Sequence, residues 1–362
     1  MIIRNMYESF TIGNITVKNR LVASAMFEYG ADNGTITDRI IDRYRLLAEG
    51  GSGLIITGMH AVTATSAVAP IMVNAEYDDY ISGLRAIVAQ AHANDAKLFV
   101  QLQHCGYGTF DASGFDAFGV CDQGRFHQAT PEELGQVARD FASAAIRCKK
   151  AGVDGVQIHA AHGYLINTFL SPSTNHRTDD YGGPIEHRAR LLFEVYGAIR
   201  AAVGKEYPIG VKFPFCDLIE HSITPEESLW TCRELERRGI DMIEVSSGMV
   251  MDGSAASFSP VVRKGQAAPF LEFAKSVADA VSIPVISVCG YRTPAQIEAA
   301  LTETNIAAVS FGRPLVREPH LPNRWKTDDS AAKCVSCNGC CNSFADGIIT
   351  CQIEKKRKLI KL

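Results

Sequence analysis

Eight short, almost unbroken apolar runs recur along this chain of 362 residues, at 20–26, 53–57, 98–102, 155–159, 209–213, 242–246, 285–288 and 308–311. A strand that is apolar at successive positions is buried on both faces, which is the condition of a parallel sheet covered by helices. The stretches between the runs announce helices. Thr130-Pro131-Glu132-Glu133 and Thr224-Pro225-Glu226-Glu227 each combine an N-cap threonine, a proline at the first helical position and a glutamate that completes a capping box. Thr293-Pro294 starts a third helix without the glutamate. The patterns predict helices over 37–49, 80–94, 130–151, 186–203, 224–238, 268–281 and 293–301, several of them ended by glycine at Gly50, Gly152 and Gly239.

Eight β/α units are the number needed for a (β/α)8 TIM barrel. The alternative, an open doubly wound sheet, is disfavoured because no Gly-x-Gly-x-x-Gly follows the first run. The reading divides the chain into a barrel over 1–330 and a cysteine-rich module over 331–362. Segments 59–79, 105–129 and 171–184 are longer than connections need, and they follow strands two, three and four on the face where barrel active sites lie. In the second of them, Tyr107, Phe110, Phe115, Phe118 and Phe126 form either an apolar substrate wall or a plain hydrophobic lid.

Charge narrows the function. Lys plus Arg number 36 against 40 Asp plus Glu, a net −4, so no basic field exists for nucleic acid or an anionic membrane. With no apolar leader and no run of about 18 apolar residues, the chain reads as soluble and cytoplasmic.

Two clusters carry chemistry. His159, His162 and Tyr164 crowd the end of the fourth run. Two imidazole donors there can grip a carbonyl or nitro oxygen, and a phenol just beyond can supply a proton. The other cluster is Cys334, Cys337, Cys340, Cys341 and Cys351, five of the eleven cysteines, near the chain end. Closely spaced thiolates converge on one soft metal centre. Cys340 as third ligand gives C-x2-C-x2-C-x10-C and Cys341 gives C-x2-C-x3-C-x9-C, and spacing alone leaves iron–sulfur and zinc both open.

The segment from Asp154 through His159, His162, Gly163, Tyr164 and Leu165 resembles the old yellow enzyme family of flavin-dependent ene-reductases, as do Ser171-Pro172 and Asn175-His176-Arg177 through Tyr181-Gly182-Gly183. Lys18-Asn19-Arg20 with Ala25-Met26, Gln101-Leu102-x-His104-x-Gly106, and Phe311-Gly312-Arg313-Pro314 resemble the family's first, third and eighth strands. The cysteine module resembles the branch containing 2,4-dienoyl-CoA reductase and trimethylamine dehydrogenase, which continue into further nucleotide-binding domains.

The resemblance implies FMN across the barrel mouth. Ala25, Met26, Phe27, Gly58 and Met59 would line the ring, Gln101 would pair with its pyrimidine edge, and Lys212 would place a cation near N1. Cys289, Gly290, Gly312 and Arg313 would surround the phosphate. His159 and His162 would hold the oxygen of an α,β-unsaturated carbonyl or enoyl-type substrate, hydride would pass from flavin N5 to the β-carbon, and Tyr164 would protonate the α-carbon. NAD(P)H is the implied donor, and a [4Fe–4S] cluster, with zinc as the alternative, the implied occupant of the cysteines. An amine dehydrogenase-like enzyme is the alternative activity. So is an electron-transfer subunit linking FMN, cluster and a ferredoxin or flavoprotein partner. A homo-oligomer stays open. Four positions depart from the family pattern: Lys212 for arginine, Cys289 for glycine, His187 for asparagine, and Phe27 for a small polar residue.

Overall fold

The computed structural model describes residues 5–108, 117–249, 260–262 and 266–360. Phe110 and Phe115 of the expected apolar wall therefore lie outside the described residues. Among the described residues, eight parallel strands close into a barrel: β1 (Leu21–Ala23), β2 (Leu54–Ala61), β3 (Lys97–Gln103), β4 (Gly155–His159), β5 (Ile209–Pro214), β6 (Met242–Ser246), β7 (Val285–Val288) and β8 (Ala308–Phe311). Strand β8 pairs back onto β1, with Ser310 opposite Val22. The crossover helices include α1 (Asp38–Glu49), α2 (Tyr80–His92) and α3 (Pro131–Ala151).

The capping signals act as read. Thr130 and Thr224 each accept the N3 backbone N–H in a full capping box, and Gly152 and Gly239 end their helices at φ of 89° and 93°. Side-chain caps of this kind are typically worth about 1 kcal/mol each.

Alternation along the strands organises the barrel interior, since every second residue points inward. At the lower level Val22, Leu54, Ile56, Phe99, Met242, Ile286 and Ala308 form one apolar cluster. A short antiparallel hairpin, Phe10–Ile12 with Ile15–Val17, contributes Phe10, Ile12 and Val17 to that cluster and so plugs the barrel floor. Higher in the barrel the inward positions turn polar: Ser24 just beyond β1, Gln101, Gln157, Lys212, Glu244 and Ser310, all nearly or wholly buried. The outward faces pack Leu21, Ile55, Leu98, Val100, Val156 and Ile158 under the helices.

Two elements differ from the sequence reading. Strand β2 continues past Thr57 to Ala61, with its register shifting between Ile56 and Met59, so Gly58 and Met59 belong to the strand. The helix expected over 186–203 is interrupted at Ala189, between Ile185–Arg188 and Arg190–Val203.

Candidate functional site

The strand register places the site residues side by side. His159 of β4 is opposite Lys212 of β5, and Lys212 is opposite Glu244 of β6; Gln101 of β3 lies between Met59 and Gln157. Lys212 Nζ is 3.0 Å from Glu244 Oε2 and donates to Ser24 Oγ at 3.2 Å. An ammonium has three donors, so one N–H remains beyond these two contacts. Gln101 Nε2 donates to Gln157 Oε1 at 2.7 Å, and Gln157 Nε2 donates to Glu244 Oε2 at 2.9 Å. Gln157, Glu244 and Ser310 are functional neighbours that the sequence reading missed. Their signal was present: a glutamine and a glutamate inside runs otherwise apolar.

His159 and His162 sit above this layer. Their rings meet edge to face with centroids 5.0 Å apart, and Tyr164 lies 5.2 Å from the His159 ring. The backbone N–H of Ala161 donates to His159 Nδ1 at 3.3 Å. Because a backbone N–H can only donate, Nδ1 accepts, and the proton of the neutral ring sits on Nε2. His162 Nε2 is 2.8 Å from Ser246 Oγ, and the residue holds a left-handed φ of 68°. Burial holds both imidazoles well below their ordinary pKa; Lys212 adds to the effect on His159, and His159 and Lys212 add to it on His162. Tyr164 is pushed the other way, mainly by burial, and keeps its phenolic proton. Tyr164 also joins Phe27, Val68, Met59 and Met72 in an apolar cluster beside the pair.

At the far side of the mouth Arg313 Nη2 donates to Pro260 O at 3.0 Å and approaches Cys289 Sγ at 3.6 Å. Gly290 has φ of 93°, and a Cβ there would meet Pro269 Cδ at 2.7 Å and Ala268 Cα at 2.8 Å. A Cβ on Gly312 would meet Met26 Sδ at 2.4 Å. Cys289 adopts φ of 80°, a left-handed conformation, at one of the positions where the family pattern carries glycine. Gly58 turns its missing side chain outward, where a Cβ would meet Glu28 Oε2 at 2.3 Å, and its N–H is bound by Tyr44 Oη at 2.8 Å. The carbonyl of Met26 lies against it, so segments 25–27 and 58–59 are adjacent.

The loop after β4 is a brace. Asn175 Nδ2 donates to the carbonyls of Phe169 and Tyr181, both at 2.7 Å, and Arg177 Nη1 donates to those of Val120 and Ala129 at 3.1 and 2.8 Å. Arg177 thereby ties the segment after β3 to the segment after β4. In the former, Tyr107 and Phe126 rings stand 5.2 Å apart, and Phe118 lies 5.3 Å from His104.

The cysteine module packs on the loop after β1. Tyr29 Oη donates to Cys341 O at 2.9 Å, Ile349 N donates to Glu28 O at 2.6 Å, and Met26 and Phe27 pack against Tyr29, Cys340 and Ile349. Arg313 Nη1 donates to Asn338 Oδ1 at 2.5 Å, joining the module to the expected phosphate end. Cys334, Cys337, Cys340 and Cys351 line one small cavity, and Cys341 is not in its lining. Among the described residues, no group of three or more His, Cys, Asp or Glu side chains is arranged to hold a metal ion.

The mouth fits FMN on its own features. It presents a buried amide, a buried cation with an N–H to spare, and a guanidinium beside a turn where only glycine fits at 290. A parallel barrel with this polar layer and two neutral imidazoles above it defines a flavin-type oxidoreductase site. The family model for the NADH:flavin oxidoreductase / NADH oxidase family matches residues 5–330, and the chain belongs to that family, the old yellow enzyme family. A metal reductase of Desulforamulus reducens is 33% identical over 345 residues, covering 93% of this chain and 51% of the relative. An NADPH dehydrogenase of Halalkalibacterium halodurans is 32% identical over 328 residues, covering 88% of this chain and 92% of the relative. A 2-naphthoyl-CoA reductase in complex with 2-naphthoyl-CoA superposes with a TM-score of 0.88 at 27% identity, over 97% of this chain and 57% of that one. The chain thus spans about half the length of the first of these relatives. No helix among the described residues is long and apolar enough to cross a membrane.

Proposed function

We propose that this chain is an FMN-dependent reductase of activated C=C bonds, taking its electrons from NAD(P)H and acting on an α,β-unsaturated carbonyl or enoyl-type compound. The observation that carries the reading is the neutral, buried His159–His162 pair with Tyr164 beside it. When bound, FMN supplies hydride chemistry at the ring. Gln101 and Lys212 would hold its pyrimidine edge, and Gly290, Gly312 and Arg313 its phosphate.

The chain's own part is polarisation, proton supply and exclusion of water. His159 offers Nε2–H to the substrate oxygen, and His162, oriented by Ser246, stands at right angles to it. Preorganised donors in a dry site act without reorganisation as charge develops on that oxygen. Tyr164, kept protonated, delivers the proton to the α-carbon. Phe27, Met59 and Val68 supply an apolar wall for the carbon skeleton. The similarity to a 2-naphthoyl-CoA reductase supports an enoyl-type substrate.

The cysteine module supports a second element of the reading. The close spacing of Cys334, Cys337, Cys340 and Cys351, which line one cavity, supports a [4Fe–4S] cluster there, with zinc as the competing occupant, although the four side chains do not themselves converge on one centre. With a cluster in place, a ferredoxin or flavoprotein partner can supply the electrons in place of NAD(P)H. One anaerobic preparation tests both parts. A flavin absorption spectrum with iron and acid-labile sulfide, and conversion of an enone to its saturated product, is the expected result. A colourless protein that cannot be reconstituted with FMN overturns the reading.

A further inference from the structure

Glu244 has no role in the chemistry above, yet its side chain engages four partners at the site. Its carboxylate is fully buried. Oε1 accepts from Ser24 Oγ at 2.9 Å and from Ser310 Oγ at 2.6 Å. Oε2 accepts from Gln157 Nε2 at 2.9 Å and lies 3.0 Å from Lys212 Nζ. Four partners from β4, β5, β8 and the end of β1 fill the roughly four acceptor positions of a carboxylate. Through them Glu244 reaches both side chains assigned to the flavin's pyrimidine edge: Lys212 directly, and Gln101 by way of Gln157. Breaking such a pair strands the surviving charge away from water, so the arrangement is held firmly. It also presents the ring with an ion pair rather than with a lone cation.

We propose that Glu244 is a positioning residue that sets the reduction potential of the bound flavin, by fixing Lys212 and Gln101 and by offsetting the Lys212 charge. The inference rests on the reading that these two side chains meet FMN. A cation beside the ring stabilises its electron-rich reduced form, and an adjacent carboxylate takes part of that stabilisation away.

The test compares FMN-loaded wild type with Glu244→Gln by spectroelectrochemical titration. Glutamine keeps the shape and removes the charge, so the ratio of reduced to oxidised flavin at a fixed potential rises at least tenfold, a positive shift of about 30 mV for a two-electron couple. In the double variant Lys212→Met/Glu244→Gln, where the cation is also gone, that positive shift disappears. If Glu244→Gln does not accumulate folded, Glu244→Asp, with a shorter reach to Lys212, moves the midpoint in the same direction by less. A midpoint that is unmoved or more negative, or a positive shift that survives in the double variant, overturns the proposal. The underlying reading fails separately, if a structure of the FMN-loaded wild type places Lys212 away from the ring.

Discussion

Ala161 donates its backbone N–H to His159 Nδ1 at 3.3 Å, and this one bond decides which nitrogen of the imidazole carries the proton. With Nδ1 committed, Nε2–H is the donor that the ring can offer to a substrate oxygen. On the proposed function, the donor and the proton source carry unequal weight. His159→Ala removes a preorganised donor, and kcat/KM falls by about 10²–10³. Proton donation contributes a smaller factor than polarisation by the paired donors, and Tyr164→Phe costs less, about 10². Steady-state kinetics on one enone checks the order; a larger loss in Tyr164→Phe contradicts it.

The depressed histidines make a pH prediction. Both folded pKa values lie well below the ordinary 6.5, chiefly through burial. Below pH 6.5 the unfolded chain therefore binds protons that the folded chain does not, and stability falls as pH falls through that region. Above 6.5 the contribution is fully present. Denaturant unfolding between pH 8 and pH 5 measures the decline, and replacing both histidines by glutamine makes it shallower, leaving the share of His104, which burial lowers to about 4. Over the same range kcat/KM shows no inflection at 6.5, because neither ring gains a proton there.

Cys289 stands at φ of 80°, where a side chain is strained and glycine is not. Left-handed backbone costs a non-glycine residue roughly 1–2 kcal/mol, partly offset by the greater freedom of glycine in the unfolded chain. Cys289→Gly is expected to stabilise the protein by about 1 kcal/mol in denaturant unfolding. Gly290→Ala goes the other way, driving a methyl into Pro269 and Ala268, and weakens FMN binding as well as stability.

Cys340 lines the cavity and its neighbour Cys341 does not. Cys340→Ser and Cys351→Ser are expected to remove bound metal, while Cys341→Ser retains it. Iron, zinc and sulfide analysis of the three purified variants decides the matter, and metal loss in Cys341→Ser alone reverses the assignment.

Much of the fold was legible because the strands are buried on both faces and the helices carry their own caps. Thr130 and Thr224 cap as their sequences say. The end of β2 was not legible, since Thr57 and Gly58 close the apolar run where the register shifts; beyond them His60 Nδ1 lies 2.7 Å from Tyr80 Oη on α2, a partner that no local pattern reveals. The barrel plug at 10–17 was hidden for a related reason: its few apolar residues gain meaning only against Phe99 and Met242. At the site, His159, His162, Tyr164, Gln101 and Lys212 stand out by residue type and place. Gln157 and Glu244 become readable only when every second strand residue is followed inward, from apolar floor to polar layer.

The most direct test of the central claim is an anaerobic half-reaction. The FMN-loaded protein is reduced, mixed with an enone in a stopped-flow instrument, and followed at the flavin absorbance. The account predicts rapid reoxidation with one equivalent of saturated ketone formed, and slow reoxidation in His159→Ala. Flavin that stays reduced with every enone, while an amine reduces the oxidised protein, contradicts it.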